Sequence, residues 1–179
     1  MSPVRFELSD PDSRPASDLL AAMQVELNDV YETFSRLDNP PLSPSELRAP
    51  GGAYVVGYEG TEAVAGGGVR RLADGVGEIK RMYVRPGARS RGVARALLAA
   101  LEAAARSLGY GAVRLDTGPK QVHALALYRS AGYVDVPPYN DNPFACFWGE
   151  KQLDASAATV QNVQTSTTWP DSGRAPRPS

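Results

Sequence analysis

The chain has 179 residues, 42% of them hydrophobic and 22% charged, which is typical of one globular domain with its own core. Its 19 basic residues nearly balance its 20 acidic ones, which argues against a nucleic-acid partner, because such binding needs a broad excess of Lys and Arg. A single cysteine, Cys146, and a single histidine, His123, argue against a disulfide framework and against a metal site.

Targeting signals are not apparent in this sequence. No apolar run approaches the length of a membrane span, and the first ten residues lack the apolar core of a signal peptide. The sequence therefore predicts a cytoplasmic protein with no membrane partner.

The N-terminal part predicts a strand, a helix and a stiff loop. Val4 to Leu8 alternates like a short strand. An amphipathic helix follows, with Asp18 placed as its N-cap residue. The proline-rich stretch Asn39 to Pro44 predicts a rigid loop, and Ser45 to Arg48 one helical turn.

Two antiparallel hairpins are expected next. Ala53 to Tyr58 and Ala63 to Leu72 read as strands joined by a tight turn, and a second turn leads to a central strand, Ile79 to Val84. The run Gly66 to Gly68 could suggest a nucleotide-binding loop. No helix follows it, so a bent or bulged strand is the better interpretation.

A basic turn and a long helix follow the central strand. The helix is predicted from Val93 to Leu108, because apolar residues recur every three or four positions and Gly109 offers a stop. Backbone N–H groups at a helix start lack partners, so the turn from Arg89 to Ala94 can hold an anion, with Gly92 allowing close approach. A solvated basic helix start is the alternative.

The last part predicts a strand at Ala112 to Asp116, a helix at Val122 to Ala131, and strands at Tyr133 to Val136 and Phe144 to Leu153. Together the elements predict an α/β (α+β) domain, residues 1–153, with a mixed sheet and helices on both faces. Residues 154–179 are rich in Ser, Thr, Gln and Pro and predict a disordered tail. Cys146 is expected to be a small core residue.

Two sequence motifs resemble those of a known protein family. The strand RMYVRP and the following RSRGVA, Arg89 to Ala94, fit the pattern R-x-x-G-x-A and resemble the acyl-CoA-binding motif of the GNAT superfamily of N-acetyltransferases. The string LYRSAGY, Leu127 to Tyr133, follows in the family's order, and a weaker resemblance extends over Val4 to Leu153. The resemblance implies a mostly antiparallel sheet of about six to seven strands. In it, the central strand and the strand after the long helix splay apart.

Acetyl-CoA is the co-substrate that the resemblance implies, with no metal. The pantetheine arm would pair with the central strand in the splayed opening, and the pyrophosphate would bind the Arg-Gly turn. Gln121 stands where the family commonly has an asparagine that contacts the cofactor. The residues so assigned to cofactor binding are Met82, Tyr83, Val84, Arg89, Ser90, Arg91, Gly92, Val93, Ala94, Arg95 and Gln121.

Two residues are candidates for catalysis. Tyr128 stands where the family has a tyrosine that protonates the departing CoA sulfur, although it also suits packing on the sheet. Glu78 stands where several enzymes of the family place a general base, although a carboxylate paired with Lys80 or Arg70 is an equal alternative. Side-chain alternation is expected to put Glu78, Lys80 and Met82 on one face of the strand.

The acceptor site is expected near the first helix, a region that contributes to the acceptor pocket in the family. Tyr31, Glu32 and Asn28 are the polar candidates to contact the acceptor, and a solvated outer face of this acidic region is the alternative. The resemblance implies transfer of an acetyl group from acetyl-CoA to a small or amino-acid-like amine, directly in a ternary complex. The alternatives are a non-catalytic acyl-CoA-binding module and a protein-lysine or N-terminal acetyltransferase. A homodimer is a further expectation.

Overall fold

A computed structural model describes residues 3–30 and 42–154 of the chain. In these ranges, three α-helices are present: α1 (Ala16–Val30), α2 (Val93–Ser107) and α3 (Val122–Ser130). The strands are β1 (Arg5–Ser9), β2 (Ala53–Glu59), β3 (Glu62–Ala73), β4 (Val76–Val84), β5 (Ala112–Thr117), β6 (Val134–Asp135) and β7 (Phe147–Gln152). Short 3₁₀ turns lie at Pro44–Leu47 and Pro86–Ala88.

The seven strands of the described chain form one sheet in the order β1-β2-β3-β4-β5-β7-β6. Every neighbouring pair is antiparallel except β4 and β5, which run parallel. The connection between these two parallel strands contains α2, as a parallel pair requires a long crossover. The predicted mixed, mostly antiparallel sheet is confirmed.

Helices cover both faces of the sheet, as predicted. On the side that we call the α2 face, Leu97 and Leu101 of α2 pack in one buried cluster with Val69 and Val113. On the opposite side, the α1 face, Leu19 of α1 packs in a second cluster with strand residues that include Tyr54, Val56 and Tyr83. Alternation along β2 sends neighbouring residues to opposite clusters, so the sheet separates two cores.

Both of the later helices end where the sequence predicts, and for the same reason. Gly109 follows α2 with φ of 86°, and Gly132 follows α3 with φ of 91°, a backbone region that favours glycine. Tyr110 donates its N–H to the Ala105 carbonyl at 3.0 Å, and Tyr133 donates to Tyr128 at 3.1 Å. These bonds satisfy carbonyls that the helix end leaves unpaired.

Several boundaries differ from the sequence-based expectation. Helix α1 begins at Ala16, so Asp18 lies in its first turn and is not the N-cap; its carboxylate accepts from Arg14 Nε at 3.1 Å. The last strand begins at Phe147 and not at Phe144. Asn142 holds a turn there, because its side-chain oxygen accepts from the Phe144 N–H at 3.1 Å. The strand expected at Tyr133 to Val136 contains two residues only.

A β-bulge interrupts the pairing of β3 with β4. Gly66 faces Tyr83 and Gly68 faces Lys80, so three residues of β3 oppose four residues of β4. The extra residue lies next to Arg81, whose φ is 59°. The bulge expected at Gly66 to Gly68 is therefore present, with the extra residue on the partner strand.

The bulge overturns the expected alternation along β4. Glu78 and Lys80 lie opposite in direction to Ile79, which belongs to the α2-face core. Beyond Arg81 the alternation is reversed, so Met82 packs on the α2-face core while Tyr83 belongs to the α1-face core. Met82 therefore does not share a face with Glu78 and Lys80.

No helix within the described ranges combines the length and the apolar character that crossing a membrane requires.

Candidate active site

The sheet opens between β4 and β5. Register pairs join Val76, Gly77 and Glu78 of β4 to β5, and no pair follows them toward the ends of the strands. On its other edge, β4 stays paired with β3 as far as Val84. One backbone edge of β4 beyond Glu78 therefore borders the opening, and this segment contains the predicted cofactor-binding residues Met82, Tyr83 and Val84.

The loop after β4 presents backbone N–H groups at the start of α2. Ser90 and Gly92 both have left-handed backbone conformations, with φ of 58° and 79°. Gly92 is the N-cap position of α2, and no side chain caps the helix. Alternating left-handed residues and an uncapped helix start form a concave set of donors that suits an anion. Val93 and Ala94 form the first turn above it.

The arginines of this loop are engaged with the protein. Arg89 donates to Glu26 Oε2 at 2.6 Å and to the Val84 carbonyl at 2.9 Å, and its guanidinium lies 5.7 Å from the Tyr83 ring centre. Arg91 pairs with Glu59, and Arg95 donates to Ser130 Oγ at 2.6 Å. The side chains of Arg89 and Arg91 therefore have to exchange partners if they bind a phosphate.

Tyr128 on α3 is buried against the α2-face core, beside the opening. Its hydroxyl contacts Met82 Sδ at 3.8 Å, and its ring centre lies 5.9 Å from that of Tyr133. Burial raises the pKa of Tyr128, and the negative charge of Asp116 raises it further. The raised pKa keeps the hydroxyl protonated. Because a thioether is a weak hydrogen-bond acceptor, this hydroxyl has no strong partner among the described residues.

Glu78 forms the ion pairs that one of the two sequence-based interpretations predicted, and its role as a general base stays a prediction. Its side chain is 0% exposed, and its carboxylate accepts from Arg70 Nε at 2.6 Å. Lys80 Nζ lies 3.0 Å from its other oxygen, and Asn140 Nδ2 lies 3.4 Å away. A buried carboxylate needs such partners. The ion pairs are present, and the carboxylate still lies on the last residue of β4 that pairs with β5.

The sequence analysis missed a polar network around Glu78 on the α1 face. Asp116 of β5 is 3% exposed and accepts from Lys80 Nζ and from Asn142 Nδ2, each at 2.5 Å. Trp148 Nε1 donates to Asn140 Oδ1 at 2.9 Å. Asp116 had a detectable signal, since it alternates with buried Leu115 in β5. The two asparagines had none, because a loop between β6 and β7 places them.

Tyr139 lies in the same loop above the network. Its hydroxyl is buried and has no hydrogen-bond partner within residues 3–30 and 42–154. The Arg114 guanidinium lies 5.4 Å from its ring centre. Burial raises the pKa of Tyr139, and the carboxylates of Glu78 and Asp116 raise it further. A protonated hydroxyl therefore stands close to the two carboxylates.

Other candidate residues are placed as follows. Gln121 supports the turn after β5, because its side-chain oxygen accepts from Thr117 Oγ1 at 2.8 Å, which leaves its amide N–H groups for a ligand.

His123 is exposed. Cys146 is exposed too, and it precedes β7, so it is not a core residue. In the described part of the chain, no three His, Cys, Asp or Glu residues are grouped to hold a metal.

Tyr31 and Glu32, predicted to contact the acceptor, lie outside the described residues, and so do residues 155–179 of the predicted tail. The last residue of α1 lies near the start of α3, because Lys120 Nζ donates to the Val30 carbonyl at 2.8 Å. The chain thus leaves α1 beside the turn that Gln121 supports.

Comparison with protein families is decisive. A model of the acetyltransferase (GNAT) family matches residues 19–133, which contain the opening, the loop, Glu78 and Tyr128. The chain belongs to the GNAT acetyltransferase family. It is therefore an acyltransferase, and acetyl-CoA is the typical donor of the family.

Relatives and solved structures support this GNAT assignment. An IAA acetyltransferase of Azospirillum brasilense is 34% identical over 158 residues, which cover 86% of this chain and 100% of the relative. The uncharacterized N-acetyltransferase YjgM of Escherichia coli is 32% identical, covering 75% of this chain and 84% of YjgM.

Two crystal structures share the GNAT fold of this chain. A protein of Klebsiella pneumoniae assigned as an acyl-CoA N-acyltransferase is 30% identical, with a TM-score of 0.67, and covers 84% of this chain and 98% of its own. A GNAT-family acetyltransferase of Staphylococcus aureus has a TM-score of 0.71 at 16% identity, covering 85% of this chain and 100% of its own, which shows a shared fold.

Proposed function

We propose that this protein transfers the acetyl group of acetyl-CoA to the primary amine of a small or amino-acid-like acceptor, by direct transfer in a ternary complex. One observation carries the proposal. The opening between β4 and β5 lies beside an uncapped helix start and has the Tyr128 hydroxyl on one side of β4 and the Glu78 carboxylate on the other. Acyl transfer to an amine needs an anion site, an acid and a base in this proximity.

The donor half of the site fits an acyl-CoA. Acetyl-CoA supplies a thioester whose carbonyl carbon is open to attack by an amine. The edge of β4 from Met82 to Val84 offers backbone groups to the pantetheine amides, and the N–H groups from Ser90 to Arg95 bind the pyrophosphate. The Val84 carbonyl already accepts from Arg89, so that carbonyl is engaged.

Two proton transfers complete the reaction. An alkylammonium is not a nucleophile, so a base must take its proton; Glu78 accepts it through a water molecule. The amine nitrogen then forms a bond to the acetyl carbon, the carbon–sulfur bond breaks, and the nitrogen releases its second proton to solvent as the amide forms. Tyr128 donates its hydroxyl proton to the departing sulfur and regains a proton from solvent. The pKa of Tyr128, raised by burial, keeps the hydroxyl protonated in the resting enzyme.

Coverage of the α1 face favours a small acceptor over a protein. Asn140 and Asn142 reach from their loop to Glu78 and Asp116, so the loop lies over the polar network. A protein-lysine substrate needs a long open groove at this place. The buried Tyr128 hydroxyl and Glu78 carboxylate argue against a non-catalytic acyl-CoA-binding module, because such a module needs neither an acid nor a base. A cytoplasmic location and a homodimer stay predictions from the sequence.

A two-step assay tests the proposal. Acetyl-CoA and free CoA are first titrated in a thermal-shift measurement, and thiol release is then followed with a panel of amines. We expect stabilisation by acetyl-CoA and thiol release with one class of amine. Stabilisation without thiol release from any amine would favour the binding module, and no stabilisation would contradict the assignment of the loop from Arg89 to Ala94.

A further inference from the structure

Arg81 stands in the bulge of β4 without a counterion among the residues that the structure describes. Its φ of 59° places it at the position where the strand reverses its alternation. It is partly buried, and no ion pair or hydrogen bond joins its guanidinium to any residue that the structure describes. Burial lowers the pKa of Arg81, and the positive charge of Arg70 lowers it further. An unpaired, partly buried guanidinium costs free energy unless a ligand supplies the opposite charge.

The neighbouring cations on the α1 face already have partners. Arg70 pairs with Glu78 and with Glu46, each at 2.6 Å. Lys80 lies between Glu78 and Asp116. Within residues 3–30 and 42–154, Arg81 is therefore the cation of this segment of β4 that has no carboxylate partner and can meet an anion from outside.

The Tyr54 hydroxyl is buried within reach of the charge of Arg81 and has no hydrogen-bond partner among the described residues. Tyr54 lies on β2 and is 1% exposed. Glycine on β3 makes room for it: a Cβ added at Gly66 would lie 2.6 Å from Tyr54 Oη. Because Gly66 faces Tyr83 on β4, the Tyr54 ring extends across β3 toward the bulge. Arg81 is the charged group whose field reaches this hydroxyl.

We propose that Arg81 and the Tyr54 hydroxyl bind a carboxylate of the acceptor, so that the acceptor is a compound carrying both an amine and a carboxylate, such as a free amino acid. A guanidinium binds a carboxylate through two parallel hydrogen bonds, and a phenol donates a third. Arg81 lies three residues from Glu78 along β4, so one small molecule reaches both. The inference rests on the proposed acetyl transfer, whose base is Glu78.

The test compares common amino acids, each as the free acid and as its carboxamide, which keeps the amine and removes the negative charge. For the wild type we expect kcat/KM to be about 10- to 100-fold higher with the better free acids than with their carboxamides, the range for a charge-assisted hydrogen bond. Arg81→Gln should raise KM for the free acids by about the same factor and leave the carboxamides and acetyl-CoA nearly unaffected. Equal rates for acids and carboxamides would overturn the inference.

Two further variants exclude a merely structural role. Tyr54→Phe removes a hydroxyl that has no partner among the described residues, so it should not lower the melting temperature, yet KM for free acids should rise by about 2- to 10-fold. Arg71→Gln removes an exposed positive charge of β3 and serves as the matched control. It should leave the preference for free acids unchanged. An equal effect of the Arg71 and Arg81 variants would show a general charge effect and contradict a specific site.

A binding measurement separates this inference from the proposed function. N-acetyl amino acids and their carboxamides are added with free CoA, and the melting temperature is recorded. Stabilisation of the wild type by the acids, lost in Arg81→Gln, would support the carboxylate site even if no amine releases thiol, in which case the proposed acetyl transfer fails. Thiol release without any preference for a carboxylate would leave acetyl transfer standing and overturn the carboxylate site. Failure of every acid to bind or react would also overturn it.

Discussion

At the scale of single residues, the proposed acid and the proposed base lie in different environments. Tyr128 is surrounded by apolar side chains and a sulfur atom, whereas Glu78 is held by two cations. The motif predicts both positions. The alternation of β5 marks Asp116 as facing away from Leu115, but it does not show that Asp116 lies near Glu78. The motif does not predict Asn140 or Tyr139 either, since one loop places them there. Long-range pairing of this kind leaves no local pattern in a sequence.

Replacing Tyr128 with Phe tests the acid. The ring and its packing remain, so we expect acetyl-CoA affinity to stay unchanged while kcat falls by about 10²- to 10⁴-fold, the range for general acid–base catalysis. Steady-state kinetics and a thermal shift with acetyl-CoA measure the two effects. Tyr133→Phe is the matched control, because the Tyr133 hydroxyl donates to Glu102. This variant should lower the free energy of unfolding by about 1 kcal/mol and leave turnover unchanged. Normal turnover of Tyr128→Phe would remove it from the mechanism.

Replacing Glu78 with Gln tests the base. The variant keeps the side-chain shape and loses the charge, so kcat should fall and the rate should lose its dependence on a titrating carboxylate. It also removes the partner that Arg70 and Lys80 share, although each cation keeps a second carboxylate, so the expected stability loss is about 1 to 3 kcal/mol. A pH–rate profile beside urea unfolding distinguishes the two effects.

Glu150→Gln is the control for that measurement, since Glu150 forms an ion pair with Arg114 on the same face without contacting Glu78. We expect it to leave the pH–rate profile unchanged. A profile for Glu78→Gln that matches the wild type would mean that the carboxylate serves the ion pairs alone.

At the scale of elements, apolar periodicity and capping residues predict the helices well, whereas the sequence predicts the bounds and side-chain alternation of the strands less well. The apolar stripe of α2 and the glycines after α2 and α3 predict both helices to within one residue of their ends. Strand β4 begins at Val76, three residues before the prediction, because Gly77 weakens the apolar pattern there. No local pattern announces the positive φ of Arg81, so the reversal of alternation at Met82 was not predictable.

The loop before α2 is tested at Gly92. A side chain there meets no atom within 4 Å, but φ of 79° strains any L-residue by about 1 to 2 kcal/mol. Gly92→Glu adds a negative charge at the anion site, so we expect acetyl-CoA affinity to fall by more than about 100-fold. Gly92→Ala carries the same strain without the charge and should bind nearly normally. Calorimetric titration of both variants gives the answer, and equal affinities would place the pyrophosphate elsewhere.

At the scale of the whole molecule, one sheet joins two buried clusters, and each cluster contains tyrosines whose pKa burial raises. Tyr54 lies in the α1-face core, and Tyr128 and Tyr133 lie in the α2-face core. Below the ordinary tyrosine pKa of about 10, both the folded and the unfolded chain hold these protons. In that range the tyrosines therefore cause no change of the free energy of unfolding with pH. The sequence could not predict this property, since it follows from burial alone.

Above pH 10 these tyrosines should destabilise the fold. The unfolded chain then releases protons that the folded chain retains, so the free energy of unfolding falls by about 1.4 kcal/mol per tyrosine and pH unit. Urea unfolding between about pH 9 and 11 measures the slope. Tyr54→Phe removes one such group and should make the slope shallower by that amount. A slope identical to that of the wild type would mean that Tyr54 ionises normally in the folded protein.

The bulge in β4 also determines how the two substrates reach each other. Because Met82 and Tyr128 lie on one side of the sheet and Glu78 on the other, the proposed donor and acceptor approach the reacting atoms from opposite sides of one strand. Neither one stands in the other's route. We therefore expect the two substrates to add in either order, and each product to leave along the route by which its precursor entered.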